Sequence, residues 1–145
     1  MMKNLRLIIS VSLGMILHIH AHAAPETYRC PQSIPETAIH LAAPGQEWTP
    51  FISSPLFLSG AAPADGPPER LGVLREKTAT KTRAGKTQKD VLEGRYPEGK
   101  WLRCDYGSSG EMSLAKRLSD DTRECTVTAR KGEHAGENMI EVQCL

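Results

Sequence analysis

Histidine is nearly absent from the part of this chain that can fold. Five are encoded, but His18, His20 and His22 lie in a short apolar leader, which leaves His40 and His134. A serine-type triad needs histidine as its proton carrier, and no Gly-x-Ser-x-Gly elbow accompanies either one. Aromatics are few, with 2 Trp, 3 Tyr and 2 Phe. From Ala24 onward only 20 residues are Ile, Leu, Val or Phe, a thin supply for a core. Neither sign of charge dominates, since 18 Lys and Arg face 17 Asp and Glu. That balance excludes a strongly basic nucleic-acid binder and an acidic solvating tail, and we expect no nucleic-acid partner. No phosphate loop, dinucleotide fingerprint or calcium loop occurs. We therefore expect no catalytic residue, no metal and no cofactor, and a protein that is not an enzyme. A carboxylate pair of the glycosidase kind is the catalytic option left over, and no motif singles one out.

The leader itself is informative. Lys3 and Arg6 precede an apolar stretch from Leu7 to Ile19, and Ala21-His22-Ala23 is a small-x-small cleavage site. The stretch falls short of the ~20 residues a bilayer span needs. We expect a signal peptide at residues 1–23, cleaved after Ala23. The remainder, 24–145, is expected to be a single β-rich domain, periplasmic or secreted, with no stable membrane insertion.

In that oxidising space four cysteines read as two disulfides. Their separations of 74, 21 and 19 residues offer no close pair of the zinc-site kind. Four cysteines allow three pairings. If the alternating segments 124–130 and 139–145 form a hairpin centred near His134, opposed residue numbers total about 268, and Cys125 with Cys144 totals 269. We therefore prefer Cys125 with Cys144, leaving Cys30 with Cys104. The second bridge closes a long loop, worth roughly 4 kcal/mol on the chain-entropy account.

Nine of the ten prolines lie between Ala24 and Pro68, which excludes long helices there. The alternation predicts short strands at Glu26–Cys30 and Thr37–Ala43, and a loop from Gly60 to Pro68. Residues 75–90 are polar and basic, a mobile loop or at best a hairpin edge. Pro97-Glu98-Gly99 predicts a hairpin joining Asp90–Tyr96 to Lys100–Gly107, with Leu102, Cys104 and Tyr106 on one face and Trp101, Arg103 and Asp105 on the other. Met112–Lys116 and the 124–130 and 139–145 segments complete the strands. The fold class expected is mainly β: a small antiparallel meander or partly closed barrel, disulfide-stapled, with little helix apart from the leader.

Two surfaces are candidates for binding a partner. One is the strip Trp101, Arg103, Asp105, of the residue types that carry interface energy. The other is the basic run, represented by Lys77, Lys81, Arg83 and Lys86, suited to an acidic partner or an anionic polymer. The acidic residues Asp120, Asp121, Glu124, Glu133, Glu137 and Glu141 read as solubilising charge.

Tyr28-Arg29-Cys30-Pro31, Gly66-Pro67-Pro68-Glu69, Trp101-Leu102-Arg103-Cys104-Asp105-Tyr106-Gly107, Leu114-Ala115-Lys116-Arg117-Leu118, Cys125-Thr126-Val127 and the final strand with Cys144 together resemble a family of small exported four-cysteine proteins of Gram-negative bacteria. Some of its genes lie beside type VI secretion clusters. The resemblance implies a periplasmic immunity or inhibitor protein whose partner is an envelope-attacking, cell-wall-degrading enzyme. Where related sequences carry Trp before the hairpin, this chain has Asp90-Val91-Leu92. A lesser similarity, through Tyr28-Arg29-Cys30 and Ser109-Gly110, is to periplasmic lysozyme inhibitors, although the aromatic of their loop is missing here. The alternative function is a structural or accessory envelope protein that binds peptidoglycan or an anionic glycan.

Overall fold

The computed structural model describes residues 24–72, 74 and 77–145; the leader and its cleavage site, and Arg75, lie outside them. Nine strands follow in order: β1 (Glu26–Tyr28), β2 (Ser33–Ile34), β3 (Leu56–Asp65), β4 (Thr78–Thr82), β5 (Gly85–Val91), β6 (Lys100–Tyr106), β7 (Met112–Arg117), β8 (Glu124–Lys131) and β9 (Asn138–Cys144). Single 3-10 turns occur at Glu36–Ala38 and Pro68–Arg70, and the described residues contain no α-helix. Both sheets are antiparallel. The larger has the order β1-β9-β8-β5-β4, the smaller β2-β3-β6-β7.

The mainly β, stapled class holds, but the sheets stay open and do not close into a barrel. β1 and β7, which closure would have to join, face each other across a cleft lined by Thr27, Tyr28, Arg29, Leu114, Ala115 and Lys116. A Lys116 ammonium lies over the Tyr28 ring on that side, 5.2 Å from its centre. Nor is the chain a simple meander. The hairpins β4–β5, β6–β7 and β8–β9 are local, whereas β3–β6, β5–β8 and β1–β9 pair distant segments.

The core follows from alternation. Leu102, Cys104 and Tyr106 of β6 point inward with Leu58 of β3 and meet Tyr28, Cys125, Val127, Val142 and Cys144 of the larger sheet. Leu58, Tyr106, Cys125 and Val142 are wholly buried. Cys125 and Cys144 are opposed in the β8–β9 register and bonded to each other. Cys30 is bonded to Cys104, which ties the proline-rich segment to the centre of the smaller sheet.

Three local expectations fail. Thr37–Ala43 is not a strand: a 3-10 turn following Pro35 is succeeded by irregular chain up to Pro55, on which Leu41, Trp48 and Phe51 are exposed. Gly60 to Pro68 is not all loop, because β3 runs through Pro63 to Asp65. β2 pairs with β3 only at Leu56 and Phe57, so beyond Leu58 β3 has a partner on one side, where a proline costs least. Finally, Pro97-Glu98-Gly99 does make a turn, with Gly99 N–H donating to Tyr96 C=O at 2.9 Å. That turn joins two sheets and not two paired strands. Asp90 and Val91 are registered against Cys125 and Glu124 of β8, so the chain must cross to the other sheet before β6 begins.

The basic segment forms the β4–β5 hairpin at the sheet edge, the second of the two forms expected for it. Its β-branched threonines suit a strand exposed along its whole length. Its tip depends on Gly85, where a Cβ would stand 2.1 Å from the Ala129 carbonyl oxygen. That approach lets β5 pair closely with β8.

Candidate functional site

The hairpin register decides where the basic side chains go. Lys81 is opposite Lys86 on β4–β5, Lys86 is opposite Ala129 on β8, and Ala129 is opposite Ile140 on β9. All four therefore share the inner face of the larger sheet, the face that carries Cys125, Val127, Val142 and Cys144 further along. Lys131 continues the same column of β8. Around them lies an open groove of about 600 Å³. Its floor includes Val127, Ala129 and Ile140, one wall is the hairpin tip with Lys81, Arg83 and Lys86, and the other is Ser59–Ala61 of β3. No Asp or Glu among the described residues lines it. Cations concentrated in a concave site with no carboxylate focus a positive potential on a molecule of nearly neutral total charge.

Of the basic residues predicted from sequence, Lys81, Arg83 and Lys86 line this groove and Lys77 does not. Lys131 went unrecognised, although the alternation through Cys125, Val127 and Ala129 points to it. Lys89 faces the other way and pairs with Glu124 at 2.7 Å.

Trp101, Arg103 and Asp105 share the outer face of β6, as predicted. On β3 their cross-strand neighbours are the small Ala64, Ala62 and Gly60; on β7 Trp101 faces Arg117, while Arg103 and Asp105 face Ala115 and Ser113. The polar groups of the strip are largely turned on one another. Arg103 Nη2 donates to Asp105 Oδ2 at 3.3 Å, and Ser113 Oγ donates to Oδ1 at 2.6 Å. Arg103 Nε lies 2.9 Å from Oδ1 as an ion-pair contact without the alignment of a hydrogen bond. Trp101 Nε1 donates to the Glu98 carbonyl at 3.0 Å. The strip and the groove are separate surfaces; Gly60, which lines the groove, is the cross-strand partner of Asp105.

One acidic residue taken as solubilising is instead a buried anchor. The Glu137 carboxylate accepts from the backbone N–H groups of Glu133 and His134, each at 2.9 Å, and from Gln32 Nε2 at 2.9 Å. His134 Nδ1 meets it at 2.8 Å, donating when it carries the proton. Hydrogen bonding from the His134 backbone, then from its side chain, holds the Glu137 carboxyl down at about 2. The His134 ring also stacks on Phe57, with centroids 4.3 Å apart. This cluster fastens the β8–β9 turn to β3 and to the N-terminal segment, and so fixes one end of the groove.

No described cluster of three or more His, Cys, Asp or Glu has the geometry to hold a metal ion, and no described helix is long and apolar enough to cross a membrane. Fold and site together define a small disulfide-stapled β protein built to present surfaces to another macromolecule. The chain belongs to the type VI secretion system Tli immunity protein family, which matches residues 53–145. It is thus an immunity protein that neutralises a type VI secretion effector. Immunity proteins of this family are periplasmic in general and typically act without turnover. No curated protein and no solved structure matches the chain. The family match begins after the segment that carries β1, β2 and Cys30, yet Cys30 is bonded into the matched region through Cys104.

Proposed function

We propose that the protein is exported, loses residues 1–23, and works in the periplasm as a stoichiometric inhibitor of an envelope-attacking enzyme, without catalysis of its own. The observation that carries this is the pairing of all four cysteines. Such bonds persist in an oxidising compartment and are rare in a reducing one, and the leader supplies the route. An effector acting in the periplasm has the cell wall within reach, so a cell-wall-degrading enzyme is the expected target. Neutralisation by occlusion requires complementary shape and charge and no reactive group. The candidate contact residues are Trp101, Arg103 and Asp105 on one face and Lys77, Lys81, Arg83 and Lys86 on the hairpin.

The test combines location with stoichiometry. Periplasmic extracts should contain a chain starting at Ala24 with no free thiol by mass spectrometry. Inhibition of the cognate type VI effector, read as muropeptide release from sacculi and in parallel as fatty-acid release from phospholipid, should be complete at one equivalent. Protection by a version lacking residues 1–23 and retained in the cytoplasm would refute the compartment. Release of lipid and not muropeptide would refute the cell-wall target while leaving inhibition intact.

A further inference from the structure

The inner face of the larger sheet is covered at one end only. There Tyr28, Cys125, Val127, Val142 and Cys144 are buried against Leu58, Leu102 and Tyr106 of the other sheet. Further along, the same columns continue as Ala129 and Ile140, then Lys131 and Asn138, with Lys86 and Lys81 alongside. β3 borders this end as one wall of the groove and does not roof it.

Two features exceed what a solvated hairpin requires. Lys81 stands directly opposite Lys86 across β4–β5, and Lys131 lies on the same face beyond Ala129. They are also placed on the face that is core elsewhere, over an apolar floor. Lysine on an edge strand guards it against unwanted pairing. That role, which inward-pointing charges also serve, accounts for Lys81 on the β4 edge but not for Lys131 on β8, a strand with partners on both sides.

We infer that this groove receives an acidic segment of the effector in extended conformation. Its carboxylates meet Lys81, Arg83 and Lys131, and its small apolar side chains rest on Ala129 and Ile140. Its backbone runs beside Gly60–Ala62 of β3, which pair only with β6 among the described residues, while the neighbouring Ser59 carbonyl is taken by Asn138 Nδ2 at 2.6 Å. Charge complementarity selects the occupant, since a groove without a carboxylate admits anionic side chains and repels cationic ones. The inference rests on the immunity reading above and adds where, and to what chemistry, the partner binds.

The probe is a fluorescein-labelled octapeptide alternating Glu with Val, compared with its Gln-for-Glu counterpart by polarisation on the full mature protein. We expect the Gln peptide to bind at least about tenfold more weakly. The variant K81E/R83E/K131E should lose the Glu peptide by a similar factor. R29E/R95E/R123E, with the same charge change on exposed sites outside the groove, should stay within about twofold. Equal loss in both variants, or equal binding of both peptides, would overturn the inference. So would a sulfated polysaccharide that displaces the labelled Glu peptide from wild type at lower concentration than the unlabelled Glu peptide does, since the occupant would then be a glycan.

A second arm uses cells exposed to the cognate type VI effector. The groove variant, accumulating normally and melting close to wild type, should fail to protect, while the control variant protects. Full protection by the groove variant overturns the groove and leaves the immunity reading standing. Failure of wild type itself to protect removes that reading and this inference with it.

Discussion

The two ends of one sheet face make opposite use of the same alternation. At one end β8 and β9 turn Cys125, Val127, Val142 and Cys144 into a core under the second sheet, closed by a disulfide. At the other end the same rows turn Lys131, Lys86 and Lys81 toward an open groove. The first end is organised for stability; the second gives some up, placing like charges opposite each other where an apolar pair would pack. The difference teaches that period-2 patterning settles which face a residue takes and not whether that face is covered. Coverage is decided by the course of the opposite sheet.

The largest effect expected is at the closed end. Replacing Cys30 and Cys104 together with Ala should cost about 2–5 kcal/mol, measured by urea unfolding of the mature protein. Against a typical total of ~5–15 kcal/mol, such a loss approaches failure to fold. Leu58→Ala, at a fully buried position, should cost a comparable ~2–5 kcal/mol through lost burial and the cavity left behind. If Lys81→Ala or Lys131→Ala destabilised the protein as much as either, the contrast between the two ends would be broken.

How far these ends could be read from sequence differs as well. The Cys125–Cys144 bridge was legible because both cysteines lie in local alternating segments joined by a short turn, so arithmetic on residue numbers suffices. Cys104 facing inward and Trp101, Arg103 and Asp105 facing outward were legible for the same reason. β3 was not, because Gly60, Ala61, Ala62, Pro63 and Ala64 have the composition of a loop; they form a strand through pairing with β6 across some forty intervening residues. The pairing of Asp90 with Cys125 was hidden for a similar reason, since a local turn signal at Pro97-Glu98-Gly99 was the stronger cue. The groove could not be read at all, because it exists only where two sheets of distant segments diverge. Lys131 alone could have been assigned to its face by extending the β8 alternation.

An intermediate effect is expected at Glu137, which fastens the turn at the groove end. Glu137→Gln keeps the shape but removes the charged acceptor shared by Glu133, His134 and Gln32. The variant should melt below wild type at pH 7, by less than loss of the disulfide. The sign with pH follows from a carboxyl held at about 2 against 4.5 ordinarily. The stabilisation is fully present above about 4.5 and is lost as pH falls through about 2. The gap in Tm between wild type and variant should accordingly be constant from pH 7 to about 5 and narrow below that. A gap of the same size at pH 2 and pH 7 would mean that the lost contact is packing and not charge, and that the groove end is held by the Phe57–His134 stack.

The smallest effect is the most specific to the comparison. Lys81→Thr removes one of two opposed lysines and installs a residue suited to an exposed edge strand, of the kind already present at Thr78, Thr80 and Thr82. Relief of a like-charge cross-strand pair is worth about 0.2–1 kcal/mol, so the variant should be more stable than wild type, with Tm higher by on the order of 1–4 °C. The same change takes one cation out of the groove, and inhibition of the effector should weaken by several-fold. A gain in stability joined to a loss of inhibition is the signature of a surface held in a costly arrangement for its partner. A Lys81→Thr protein that is less stable than wild type would show that Lys81 works as a structural guard of the β4 edge, and the open end of the sheet would then differ from the closed end in coverage alone.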